Sequence, residues 1–220
     1  MKIKAAVFDM DGTLIDSLMF WDILWSALGE KYLQNPAFSP SMEDDKKVRT
    51  MTFKDAMEMI HKNYRIGESG SDLLEEANRI ITDFYANRVM PKPGAEAFLK
   101  QLRQQGTKMC IATATAPDLV EIAMKHCGLD AYISKIFSCS DLGKGKDQPD
   151  IFLQAAAFLG ETLEETWLFE DSLTAIETAK KLGMPIVGIY DRYNYGQEQI
   201  KALSAVYIAP QETLLKLLDR

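Results

Sequence analysis

Three short stretches carry side chains able to do chemistry together: Asp9-Met10-Asp11-Gly12-Thr13, Thr113-Ala114-Thr115 and Glu170-Asp171-Ser172. Each follows a short apolar run, at residues 3–8, 108–112 and 166–169, and such runs read as buried strands. Ligands of an open parallel sheet bind beyond the carboxyl ends of its strands. The three stretches are therefore expected at one edge, where Asp9, Asp11, Glu170 and Asp171 bring four carboxylates together. Such a cluster repels itself, and protonation relieves it only in part. A hard divalent cation is the economical partner, and Mg²⁺ is the usual one where phosphate oxygens complete the shell.

Spacing separates the roles. Asp9 and Asp11 alternate along an extended segment, so they do not point the same way. Gly12 permits a sharp turn just beyond them. One carboxylate beside a metal stays ionised and can attack phosphorus. The other, crowded by negative charge, can hold a proton and serve as acid and then base. Thr113 stands before a helix start, where a hydroxyl and free N–H groups suit a phosphate. The loop Gly143-Lys144-Gly145-Lys146 adds the positive charge that a transferring phosphoryl group requires. These parts fit phosphoryl transfer, with phosphate expected near Gly12, Thr113, Ala114 and the lysines of that loop.

Further strands are expected at residues 135–138, 185–190 and 205–208. Helices are punctuated by Pro93-Gly94 and Gly106, by Pro117-Asp118 and Gly128, by Pro149-Asp150 and Gly160, and by a Ser172 cap and Gly183. Strands alternating with helices imply an α/β fold, a parallel sheet covered on both faces. Residues 16–88 break the rhythm. They show only helical stretches, near 18–33, 53–64 and 72–87, and read as an all-helical insertion.

The chain has 220 residues and 47% hydrophobic content, enough to bury about 70% of its extended surface. Thirty-two acids against 25 bases leave a net charge of −7, which disfavours nucleic acid as a partner. Cys110, Cys127 and Cys139 form no CxxC pair, which argues against a disulfide framework or a zinc knuckle. Asp9 interrupts the first apolar stretch before a signal peptide could form, and no apolar run is long enough for a membrane span. A cytoplasmic enzyme or binding protein is expected, without nucleic-acid or membrane partners, and a small anionic substrate stays compatible with the composition.

Asp9-Met10-Asp11-Gly12-Thr13, Thr113, Lys146 in its Lys-x-x-Pro-Asp setting, and Glu170-Asp171 together resemble the haloacid dehalogenase superfamily. The insertion directly after the first motif resembles its cap-type-one branch, which includes β-phosphoglucomutases and many small-molecule phosphatases. The resemblance implies a Rossmann-like parallel-sheet core at 1–15 and 88–220, with an inserted all-helical cap domain at 16–87. It makes Asp9 the nucleophile and Asp11 the general acid and base, also binding Mg²⁺ through its main-chain carbonyl. Thr113 would bond the phosphoryl group, and Lys146 would steady nucleophile and phosphate. Asp171 would hold the metal, with Glu170 joining directly or through water. Relatives usually read Lys-Pro-x-Pro-Asp, whereas Asp147 stands in place of the first proline here and sets an acid beside Lys146.

Asp11 disfavours the dehalogenating and phosphonate-cleaving relatives, which lack that second aspartate. β-Phosphoglucomutases carry a cap-hinge histidine where this chain has Trp21, and a cap arginine where Thr50-Met51-Thr52-Phe53 supplies Phe53. A mutase must grip a second phosphate, so losing that cation favours hydrolysis, with the phosphomutase as the alternative. A non-catalytic phospho-ligand binder is the remote alternative, although no carboxylate of the set is missing. Trp21, Met51 and Phe53 are candidate substrate contacts of the cap. Trp25, one helical turn from Trp21, suits the cap's own core. Lys46, Lys47, Arg49 and Lys54 read as a solvated basic helix start. Glu43-Asp44-Asp45 read as a solvated loop or helix start, and His61 and His126 as structural or surface residues.

Overall fold

A computed structural model describes residues 3–49 and 51–218, so the Thr50 of the cap-loop alignment lies outside the described residues. The chain divides into two units, Met1–Leu18 with Val89–Arg220, and Met19–Arg88.

Among the described residues the first unit holds eight strands: β1 (Ala5–Phe8), β2 (Ile15–Asp16), β3 (Met90–Pro91), β4 (Lys108–Thr113), β5 (Ile136–Ser138), β6 (Thr166–Glu170), β7 (Ile186–Ile189) and β8 (Val206–Ile208). Six of them form one sheet in the order β5-β4-β1-β6-β7-β8, with every pairing parallel. The four residues of β1 are all buried, as expected of a central parallel strand covered on both faces. Ala5 and Val7 pack on one face against the helices Asp150–Leu159 and Leu173–Lys181 through Phe152, Ala155 and Ile176. Phe8 points to the opposite face, where it meets Phe98 of the helix Ala95–Gln104 edge-on and stacks on Phe169 at 4.3 Å between centroids. Each such buried phenylalanine contributes about 1.5–3 kcal/mol by leaving water, and the stacked pair adds about 0.5–1.5 kcal/mol.

The chain runs from β1 outward to β4 and β5, then returns to β6 on the other side of β1. That reversal makes the carboxyl end of β1 a topological switch point, where the fold leaves a crevice. Register puts Phe8 opposite both Ile111 and Phe169, so the residues after all three strands emerge side by side. The expected strands and flanking helices are present. One local expectation fails: Ser172 holds the N-cap position of Leu173–Lys181 but makes no side-chain cap bond. Its backbone N–H donates instead to Glu170 Oε1 at 3.0 Å.

A short ribbon between the connecting segments was not expected. Ile15 pairs antiparallel with Pro91, and Asp16 with Met90, in a ladder two residues deep. Strands this short carry no periodic signal, and Pro91 tells against one.

The second unit contains the helices Phe20–Leu33, Met42–Val48, Phe53–Tyr64 and Gly70–Asn87. Ser41, Thr52 and Ser69 cap the last three, each side chain accepting the N–H three residues on. Glu43, Asp44 and Asp45 are the first turn of Met42–Val48, where acids suit the helix dipole. Trp25 is buried and donates its indole N–H to Asp45 Oδ1 at 2.9 Å, which makes it a core residue. His61 engages the Ile66 carbonyl through Nδ1 at 2.8 Å, a structural bond. Lys47 pairs with Glu43, and Arg49 with Asp45, along that helix. Among the described residues no helix is long and apolar enough to cross a membrane.

Candidate active site

The loop after β1 is built around one carbonyl. Met10 O accepts the N–H groups of Thr13, Leu14 and Ile15, which folds the chain sharply back. Gly12 sits at φ +77°, a conformation open mainly to glycine. A Cβ there would run into the Asp171 carboxylate and come within 2.9 Å of Leu18. Gly12→Ala is therefore expected to displace Asp171 and weaken divalent-cation binding at least tenfold, checked by calorimetric titration. Unchanged affinity would contradict this packing.

Asp9, one residue beyond Phe8, is buried, and its N–H continues the sheet by bonding Phe169 O at 2.9 Å. Its carboxylate accepts from Lys146 Nζ at 2.5 Å, and the same ammonium reaches Glu170 Oε2 at 2.7 Å. Glu170 Oε1 turns to the N–H groups of Asp171 and Ser172 at 3.2 and 3.0 Å. Asp171 accepts Thr13 Oγ1 at 3.0 Å and, on its other oxygen, the amide of Asn194.

Asp9, Glu170 and Asp171 thus offer three buried carboxylates within 4.8 Å of one another. Burial, followed by the charge of Glu170, raises the pKa of Asp9 despite Lys146. Burial and then the charges of Asp9 and Glu170 raise Asp171 well above the usual carboxylate range. Burial opposes the charge on Lys146, but the Asp9 and Glu170 carboxylates outweigh it and raise its pKa. With all three carboxylates ionised, the single ammonium of Lys146 leaves the group with excess negative charge. An all-oxygen donor set of this charge fits a hard divalent cation.

Asp11 stands apart from that triad. Its carboxylate accepts from Ser17 Oγ at 2.6 Å and from Thr115 Oγ1 at 2.7 Å. Alternation along the segment sets its carboxylate apart from the three that lie within 4.8 Å of one another, although its charge still helps to raise the pKa of Asp9. Thr113 is buried at the end of β4, its Oγ1 accepting the Thr115 N–H at 3.1 Å. Ala114 is exposed in the turn leading to the helix Pro117–His126.

Of the two loop lysines only Lys146 turns inward. Lys144 is exposed and pairs with Asp150 at 2.6 Å. Asp147, the departure from the usual motif, is exposed and bonds the Gln148 side chain, which leaves Lys146 to Asp9 and Glu170.

In the second unit, Trp21 and Phe53 lie 6.0 Å apart between ring centroids, and the Arg49 guanidinium sits over Trp21 at 5.6 Å. Met51 is exposed. Neither His126, exposed at its helix end, nor Cys110, buried with its thiol pushed up by burial to about 12, stands in the cluster.

Several residues around the site were missed. Ser17 and Asn194 bond Asp11 and Asp171 directly, Thr115 of the second motif bonds Asp11 without having been given a role, and buried Asp191 pairs with Lys92 at 2.5 Å. The rule that found Asp9 and Glu170, inspection of the residues at and just beyond each strand end, points to Asp191 and Asn194 when applied after β7.

A family model described as haloacid dehalogenase-like hydrolase matches residues 3–183. The phosphorylated carbohydrates phosphatase of Thermotoga maritima is 22% identical over 214 residues, covering 96% of this chain and 97% of that protein. The beta-phosphoglucomutase of Bacillus subtilis is 25% identical over 198 residues, covering 85% of this chain and 83% of that one. The crystal structure of CbbY from Rhodobacter sphaeroides in complex with phosphate shares the fold, with a TM-score of 0.78 at 20% identity over 94% of this chain and 93% of that chain. The chain belongs to the haloacid dehalogenase-like hydrolases.

Proposed function

We propose that this protein hydrolyses a small organic phosphomonoester, a sugar phosphate or nucleotide-like molecule, through an aspartyl-phosphate on Asp9, with Mg²⁺ as cofactor. The observation that carries this reading is Lys146 bridging Asp9 and Glu170 inside a buried carboxylate triad at the switch point of the sheet.

The Asp9 carboxylate attacks phosphorus while the bond to the leaving oxygen breaks. Asp11 gives that oxygen its proton as the electron pair arrives. Water then attacks the aspartyl-phosphate, its proton passes to Asp11, and the carboxylate of Asp9 is released with inorganic phosphate. Ser17 and Thr115 hold Asp11 by both oxygens, which limits its motion between the two proton transfers. Lys146 keeps the Asp9 carboxylate aimed and offers positive charge to a phosphoryl oxygen, where Thr113, Ala114 and Gly12 complete the proposed phosphate site. Asp9, Glu170 and Asp171, with the Asp11 carbonyl, would hold a divalent cation, which would supply charge neutralisation for the phosphoryl oxygens.

Residues 16–87 serve as the cap that selects the leaving group, with Trp21, Met51 and Phe53 as its substrate contacts. Trp21 fluorescence is expected to change when inorganic phosphate or a substrate binds. Constant emission with bound ligand would contradict that role.

Asp11→Asn is expected to lower turnover of alkyl phosphates about 10²–10⁴-fold. With 4-nitrophenyl phosphate, whose leaving group needs no acid, the aspartyl-phosphate should accumulate because the base for the second step is gone. Near-normal turnover in this variant would exclude Asp11 from proton transfer.

The reading is tested by phosphate release with Mg²⁺ from a panel of sugar phosphates, nucleotides, phosphoglycolate and flavin mononucleotide. β-Glucose 1-phosphate is included with its bisphosphate activator and assayed for glucose 6-phosphate. Release that requires Mg²⁺ supports hydrolysis. Isomerisation without net phosphate release would make the protein a mutase despite Trp21 and Phe53.

A further inference from the structure

We propose that Asn194 is a positioning residue for the cation site, setting the orientation of the Asp171 carboxylate through its side-chain amide. The inference rests on the phosphatase reading, in which Asp171 holds the divalent cation.

A buried carboxylate beside two others has strong reason to rotate away or take a proton, and Asp171 is held against both. Thr13 Oγ1 donates to Oδ1 at 3.0 Å. Asn194 Nδ2 donates to Oδ2 and also to the backbone carbonyl of Asp171 at 2.9 Å. One amide nitrogen thus ties the head and the backbone of the same residue together, which fixes the side-chain torsions between them. Each carboxylate oxygen has two acceptor directions, so both keep one for a cation.

The chemistry of the amide suits this task. A lysine at position 194 would neutralise the cluster and compete with a cation, and an aspartate would add a charge beside Asp9, Glu170, Asp171 and Asp191. A neutral donor orients the ligand while leaving its charge intact, the usual work of groups behind a metal ligand.

Asn194 is itself held in place. Its N–H bonds Asp191 O at 3.1 Å, and Gln197 Nε2 reaches the same carbonyl at 3.0 Å. The Asp191 carboxylate accepts the Tyr193 N–H at 2.9 Å and the Lys92 ammonium at 2.5 Å. Lys92 is fixed in turn by its own N–H on Leu14 O at 2.8 Å, in the ribbon that closes the loop after β1. The loop carrying the amide is therefore anchored to an ion pair whose carboxylate is buried, as a group that must aim a ligand requires.

The test measures Mn²⁺ binding to the full-length protein by electron paramagnetic resonance without substrate, so that it does not depend on turnover. Asn194→Leu keeps nearly the same shape without the donor, and Asn194→Ala is the second variant. Melting temperatures in a chelator identify which variants keep the metal-free fold. A variant that melts like wild type is expected to bind Mn²⁺ at least about tenfold more weakly, with a changed spectrum of the bound ion. A folded variant that binds within about twofold of wild type would overturn the positioning role, since such partners normally matter by 10–100-fold. Wild-type protein that binds no Mn²⁺ would overturn the cation reading itself and this inference with it.

Discussion

Replacing Asp9 with Asn is expected to abolish phosphate release and, in a chelator, to raise the melting temperature. The two effects have one cause. Asp9 supplies the attacking oxygen, and an amide in its place attacks phosphorus far more weakly, so turnover should fall on the order of 10⁴-fold or more. The same carboxylate is buried among Glu170 and Asp171, with Lys146 as the one ammonium of the group. Above the raised pKa of Asp9, where its carboxylate is ionised, removing that charge brings the cluster closer to neutrality, and about 1 kcal/mol recovered corresponds to a melting shift of about 2–4 °C at this chain length. Active sites commonly trade stability for function in this way. Calorimetry and a phosphate assay on one preparation check both halves. A variant that melts lower than wild type would show that the Lys146 ion pair outweighs the repulsion.

Lys146→Met is expected to act in the opposite sense on stability. The substitution keeps length and removes the ammonium that lies 2.5 Å from Asp9 and 2.7 Å from Glu170. Three buried carboxylates then face one another without compensation. Breaking a buried pair by removing one partner costs about 3–5 kcal/mol, which for a chain of this size lowers the metal-free melting temperature by about 6–20 °C. Mg²⁺ should recover more of this loss in the variant than it adds to wild type, because a cation fitting the triad supplies the missing charge. Activity should fall about 10²–10³-fold for loss of one preorganised cation at the phosphoryl group. Equal melting temperatures with and without Mg²⁺ would contradict the electrostatic picture of the site.

Much of the fold is legible in the residues because the signals are long and agree with one another. Residues 5–8 run straight into Asp9 and residues 166–170 end in Glu170, and the rule for parallel sheets brings those carboxylates together whatever the details of packing. The helix Phe53–Tyr64 announces itself by its Thr52 cap and a strongly one-sided apolar pattern. What escapes is local or relational. The ribbon of β2 and β3 is too short for periodicity, and Met42–Val48 is a polar helix with one buried residue, so its hydrophobic pattern is nearly silent.

At the site, spacing identifies Asp9 and Asp11 as a pair pointing apart. It does not say that Asp11 leaves the triad for Ser17 and Thr115, because those bonds depend on how the loop folds and on a distant strand end. Lys146 and Lys144 are equivalent on charge alone. Only the path of the loop sends one to Asp9 and the other to Asp150 at the surface. Asn194 was within reach of the strand-end rule and was missed because an amide in a loop carries no charge to draw attention.

The central claim is that a substrate phosphoryl group passes through Asp9. It is tested most directly by quenching the enzyme in acid during turnover and locating any phosphoryl group by peptide mass spectrometry. A phosphoryl adduct on Asp9 that requires Mg²⁺, is absent from Asp9→Asn and persists in Asp11→Asn with 4-nitrophenyl phosphate is the expected result. Phosphate release that continues in Asp9→Asn, with no adduct on Asp9 in wild type, would contradict it.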